Sequence, residues 1–268
     1  MQRDYEIYDS HVHIYPDKIA AKATQSIGDF YDIPMCENGT VEGLLRDGAA
    51  AGISRFVVHS VATAPKQVQS INNFIAAEAQ AHPSFIPFFT LHPDQTEAEL
   101  AAEVERCLQL GFRGVKLHPD FQLFALDEDR AQKIFRAVDG RVPVLIHTGD
   151  YRHAFSNPPQ MVYVARLYPH ATFIGAHFGA WSMWDTAGEW YEGIPNMYFD
   201  TSSSLYRLDP VKAVEIIRRL GVHKFFFGTD YPMWQPQEEL QRFFALPLQD
   251  DERRLILAQN LKALLHLS

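Results

Sequence analysis

Cysteine is nearly missing from this chain: Cys36 and Cys107 are the only two in 268 residues. Two thiols so far apart build neither a disulfide framework nor a thiolate zinc cluster, and they suit a reducing compartment, so a cytoplasmic protein is expected. Long apolar runs are missing too. A stretch such as Val142 to Ile146, with Pro143 inside it, falls far short of the roughly 20 residues a membrane span needs. Basic charge is in deficit, with 24 Lys+Arg against 33 Asp+Glu and a formal net charge of −9. No broad basic surface is therefore available to neutralise a phosphate backbone, and neither nucleic acid nor membrane is an expected partner. The first residues, MQRDYE, lead straight into an alternating apolar stretch without the apolar segment and cleavage site of a secretion signal. No Pro/Ser-rich linker, charge block or internal repeat divides residues 1–268, which read as one domain. Also absent is the pair of carboxylates on which a glycoside hydrolase depends.

What is present is a hydrophobic fraction of 47%, enough for a full core, and 12 histidines. Short β-branched or aromatic runs alternate with helical patterns from end to end, the sign of a parallel sheet wrapped by helices. Strands are predicted near 7–13, 55–60, 85–91, 114–118, 142–148, 172–177, 197–201 and 224–230. The helices between them carry their own signals. Asp209-Pro210 is a capping carboxylate before a proline at the first helical position, Val211, Val214 and Ile217 share a face, and Gly221 closes the end. Asn157-Pro158 has the same form, Thr96 and Glu99 have capping-box spacing, Val68, Ile71, Phe74 and Ile75 make an apolar stripe, and 251–267 reads as a closing helix. Eight strands and their helices in a chain of this length match an α/β, (β/α)₈ TIM barrel of about 250 residues, with an open doubly wound sheet as the competitor. The stretch Ile14 to Ser54 is longer than the other crossovers and is expected to be a long loop or insertion after the first strand, or a lid.

Polar residues fall where such a barrel would bring them together. Asp9, His11 and His13 alternate along the first strand and point to one side. His147 ends the fifth strand, His177 the sixth and Asp230 the eighth. In a barrel these ends share one rim, so His11, His13, His147, His177 and Asp230 meet there as a metal-ligand set with room for water, and His177 or Asp230 can accept its proton.

This arrangement resembles the amidohydrolase superfamily, in particular the amidohydrolase-related branch that includes the aminocarboxymuconate-semialdehyde decarboxylase-like enzymes. The resemblance runs through DSHVHI at Asp9–Ile14, GVKLHP at Gly114–Pro119, IHTG at Ile146–Gly149, GAHFG at Gly175–Gly179 and GTDYP at Gly228–Pro232. It implies a divalent ion on His11, His13, His147 and Asp230, with His177 completing a second site or polarising the attacking water. Zinc is the expected ion, in one copy, or in two if Lys116 is carboxylated like the bridging lysine of binuclear members. Lys116 can equally act as a hydrogen-bonding or substrate-facing ammonium, or as a general base. A nuclease on a related barrel is disfavoured by the acidic balance and by the lack of a glutamate ending the fourth strand.

The remaining candidates face the substrate. Arg152 and Arg207 sit in loops after strands five and seven, where either can clamp a carboxylate. Trp181, with Met183, Trp184 and Trp190, can wall or cover the ligand. His118, like His59 and His92, ends a strand and is assigned a substrate-facing or ligand-supporting role. Asp9 either orients a ligand imidazole or satisfies backbone donors, and Asp200 either lines the pocket or belongs to a turn. The expected activity is hydrolysis of a small-molecule ester, lactone or amide by activated water, with Asp230, His177 and Lys116 as the catalytic groups. Nonoxidative decarboxylation of a small aromatic or unsaturated acid is the alternative, and a non-catalytic metal- or ligand-binding barrel the third reading. The expected partner is a small-molecule substrate, and a homodimer is the assembly considered.

Overall fold

The computed structural model describes residues 5–267. Strands β1 (Tyr8–His13), β2 (Arg55–His59), β3 (Phe85–Thr90), β4 (Gly114–Leu117), β5 (Val144–Ile146), β6 (Phe173–Gly175), β7 (Met197–Asp200) and β8 (Phe225–Phe226) pair in parallel in sequential order. The ring closes through the stretch after β8. Ser10 N donates to Phe227 O at 2.9 Å, Asp230 N to His11 O at 2.9 Å and His13 N to Tyr231 O at 2.8 Å. That closure makes a (β/α)₈ barrel and excludes the open sheet.

Helices α1 (Asp17–Tyr31) and α2 (Val41–Ala51) follow β1, α3 (Val68–Ala81) follows β2, and α4 (Glu97–Gln109) follows β3. The short α5 (Pro119–Gln122) and α6 (Asp129–Val138) follow β4, while α7 (Pro158–Leu167), α8 (Trp184–Tyr191) and α9 (Pro210–Leu220) follow β5, β6 and β7. The chain ends in α10 (Pro236–Phe244), α11 (Asp250–Arg254) and α12 (Asn260–Leu265). The region expected as a long loop is thus mostly the two helices α1 and α2. The expected closing helix is interrupted by a π segment, Leu255–Gln259, within which Ile256 O accepts from Phe227 N at 2.9 Å.

The two-residue period of the strands sorts the interior into layers. Phe56, Val58, Val115, Leu117, Val144 and Ile146 point outward into the helical shell. Tyr8, Val57, Ile86, Phe88, Leu145, Ile174 and Phe226 point inward, and Ala258, Leu261 and Leu265 of the C-terminal helical region plug them from below. Gly114 leaves room in that layer, since a Cβ there would stand 2.3 Å from the Phe88 ring. Two residues beyond these inward positions come His59, Lys116 (from Gly114) and His147, so the layer above the apolar plug is polar.

Candidate metal centre

The predicted strands overrun the real ones at the barrel mouth. The sixth ends at Gly175 and the eighth at Phe226, and His177 and Asp230 follow in left-handed backbone, with φ of 61° at both. Such backbone costs of order 1–3 kcal/mol and persists only when neighbours hold it. Here Asp200 Oδ1 accepts from His177 N at 2.9 Å, Trp184 Nε1 donates to His177 O at 3.2 Å, and Asp230 N is tied to β1. The departure from the ladder turns both side chains over the centre of the barrel.

The five expected ligands His11, His13, His147, His177 and Asp230 all line one cavity of about 20 Å³, room for an occupant the size of a water or an ion. Within it, His11 Nε2 and His13 Nε2 lie 3.3 Å apart, and Asp230 Oδ1 is 3.3 Å from the first and 3.4 Å from the second. Donors about 2.0–2.1 Å from a tetrahedral ion stand about 3.3–3.4 Å from one another, so this triangle fits one. Asp200 Oδ2 accepts from His11 Nδ1 at 2.8 Å, which leaves the ring's lone pair on Nε2, and Lys116 Nζ lies 2.9 Å from that nitrogen.

His147 reaches the cavity, but its nitrogens are turned to other partners. Nδ1 faces His177 Nε2 at 3.0 Å, while Nε2 is 3.1 Å from Gly149 O, 3.2 Å from Asp120 Oδ2 and 3.3 Å from the Tyr31 hydroxyl. A second group of possible donors, His11, His177 and Asp200, is already bridged by Ser202. Its hydroxyl donates to Asp200 Oδ1 at 2.5 Å and lies 3.1 Å from His11 Nδ1 and 2.9 Å from His177 Nδ1. That group supports the imidazoles from behind.

Burial sets the electrostatics. Desolvation pushes His13 down to about 4 and holds His59, His118 and His177 well below the usual imidazole range, so all four are neutral near pH 7. Desolvation also lowers Lys116, to about 8. For Asp230 and Asp200 burial pushes the other way, yet the facing imidazoles, His11 foremost, hold both carboxyls well below the carboxylate range. Ser203 Oγ donates to Asp230 Oδ2 at 2.5 Å and receives Trp234 Nε1 at 2.9 Å.

The substrate-facing expectations divide. His118 lines the cavity, stacked on His147 at 4.1 Å and bonded through Nε2 to the Tyr31 hydroxyl at 3.0 Å. Arg152 is committed elsewhere: its guanidinium grips Asp150 at 2.7–3.1 Å, donates to Phe30 O and lies over the Phe30 ring. Arg207 is exposed on the rim. Trp181 packs behind Tyr31, ring centroids 5.0 Å apart, and Gly149 is glycine because a Cβ would meet Trp181 N at 2.4 Å. Asp9 serves the backbone and Thr229, whose hydroxyl donates to it at 2.6 Å, so the carboxylate that orients His11 is Asp200.

Part of the cover comes from the segment after β1 expected as an insertion or lid. The last turn of α1 lays Ile27 and Tyr31 over the cavity, and beside it opens a groove of about 880 Å³ walled by Ile19, Ile27, Phe30, Ile71, Phe74 and Phe121. His13 lines both the groove and the cavity, and exposed Lys18 and Lys22 stand along the groove.

A family model described as Amidohydrolase matches residues 8–267. No curated protein matches the chain. Among solved structures it is similar to an uncharacterized TIM-barrel protein of Bordetella bronchiseptica, at 23% identity and TM-score 0.79, covering 97% of this chain and 98% of that one. It is also similar to 5-carboxyvanillate decarboxylase from Sphingomonas paucimobilis, at 14% identity and TM-score 0.76, over 99% and 100% of the two chains. A dihydroxybenzoic acid decarboxylase from Polaromonas, solved with manganese and 2-nitroresorcinol, matches at 17% identity and TM-score 0.73, over 98% and 97%. At such identities these likenesses establish the fold.

Proposed function

The chain belongs to the amidohydrolase family, and from that premise we propose that it is a metal-dependent, nonoxidative decarboxylase of small aromatic carboxylic acids. The groove carries this reading. Apolar and aromatic walls suit a planar ring, two lysines along it favour an acid over a neutral ester or lactone, and the groove shares His13 with the donor triangle. Similarity to decarboxylases of aromatic acids favours the same activity over the hydrolysis expected first.

The ion would be held by His11, His13 and Asp230, with His177 and His147 on the facing wall. Bound there, a divalent cation supplies Lewis-acid polarisation of substrate oxygens. Zinc suits the triangle's edges, while the Polaromonas neighbour carries manganese. Asp200 and Ser202 set the ring of His11, and Ser203 and Trp234 set the carboxylate of Asp230. Asp230 rests ionised, takes a proton from a hydroxyl of the entering acid and returns it to the ring carbon that bears the carboxylate. The carbon–carbon bond then breaks, its electron pair stays on the ring, and the balance is hydroxy-acid anion to phenoxide plus CO₂, the phenoxide taking a proton from water on release. The buried Lys116 ammonium offsets the negative charge gathered around Asp230 and Asp200.

The test is to offer 5-carboxyvanillate, 2,6-dihydroxybenzoate and a set of esters and lactones to the protein loaded with Zn²⁺ or Mn²⁺. CO₂ release that chelation abolishes, and that Asp230→Asn lowers at least about 10²-fold, is the expected result. Ester or lactone cleavage without CO₂ release would return the assignment to a hydrolase.

A further inference from the structure

His59 is fully buried at the end of β2, and among the described residues neither of its ring nitrogens has a hydrogen-bond partner. A buried imidazole left unsatisfied carries the cost of its desolvation with nothing to offset it, so a side chain in this state points to a ligand. Its place says which. His59 pairs in register with His13, meets the His13 ring edge-on at 4.4 Å and the His11 ring at 5.0 Å, and is held neutral by desolvation. One nitrogen each from His11, His13 and His59 lie within 4.8 Å of one another. Donors on opposite sides of one ion are about 4 Å apart, so a shift under about 1 Å lets all three share it. His147, by contrast, spends both nitrogens on His177, Gly149, Asp120 and Tyr31.

We propose that His59 is a donor to the divalent ion held by His11, His13 and Asp230, so that β2 supplies an imidazole the ring of His147 does not. The assignment rests on the metal-site reading above, but not on the identity of the substrate. An imidazole from β2 completes four donors and satisfies a nitrogen that has no partner among the described residues.

The measurement is metal binding by the full chain. The metal-free protein is titrated with Co²⁺, the dissociation constant is taken by competition with a chelator, and the visible absorption of the Co²⁺ form is recorded. His59→Ala is expected to weaken Co²⁺ binding at least about tenfold and to change the absorption spectrum, because a donor has been lost. His59→Gln keeps much of the volume without an imidazole and serves if the alanine variant does not fold, circular dichroism of the metal-free proteins deciding this. A folded variant with wild-type affinity and an unchanged spectrum overturns the proposal, including the case in which only KM for a substrate moves, which would make His59 a substrate contact. A wild-type chain that binds no Co²⁺ overturns the metal site itself.

Discussion

At the scale of single residues, the site depends on the acid that faces each imidazole. Asp200 accepts from His11 Nδ1 and, through its other oxygen, from the backbone of His177 and Ser202. An asparagine in its place can present an N–H to His11 Nδ1, which moves the ring proton to Nε2, the atom that faces the donor triangle. Asp200→Asn should therefore weaken divalent-metal affinity by about 10–100-fold. Calorimetric titration of the variant with Zn²⁺ checks this, and an affinity within twofold of wild type would show that the tautomer of His11 is set elsewhere. The histidines of the site were legible because the strand period and strand ends placed them on one rim. Which carboxylate serves which ring was not, since Asp9 is near His11 in sequence while Asp200 reaches it from across the barrel.

At the scale of elements, signals local to a few residues read true and signals that depend on distant packing did not. Thr96 and Glu99 form the expected capping box at α4. Asp209 Oδ1 accepts from Val211 N at 2.9 Å and Lys212 N at 3.1 Å, and Gly221, with φ of 105°, ends α9. Replacing the cap, Asp209→Ala, should lower stability by about 1 kcal/mol in urea unfolding, with metal affinity unchanged. A change in metal affinity would mean that α9 bears on the site. Asn157 shows the limit of such reading: α7 does begin at Pro158, but the Asn157 side chain receives Asp150 N and donates to His153 O instead of capping the helix. The form of α1 was hidden for a related reason. Its buried residues Ala20, Thr24 and Tyr31 make no continuous apolar stripe, because part of what the helix covers is a polar centre.

At the scale of the whole molecule, the barrel was legible from alternation and length, while the closure between β8 and β1 came from main-chain bonds after β8 that no residue pattern announces. A chain of net charge −9 that buries carboxylates must also pay in pH dependence. Glu239 on α10 is the case outside the site. One oxygen meets Arg242, the other has no partner among the described residues, and burial raises its carboxyl from 4.5 to about 7 despite Arg242, with Asp230 and Glu238 adding to the rise. Because the folded value lies above the unfolded one, the folded state binds this proton more tightly. The stability it contributes is complete below about pH 4.5 and is lost as pH climbs through about 7. At about 1.4 kcal/mol per pH unit, that interval corresponds to about 3 kcal/mol. Glu239→Gln keeps an acceptor for Arg242 and cannot ionise, so the variant should gain stability over wild type progressively between pH 4.5 and 7 and hold that gain above. Urea unfolding of both proteins across this range reads the difference, in which every other titrating group, Asp9 included, cancels. A difference that stays flat with pH would place the ionised Glu239 in contact with water.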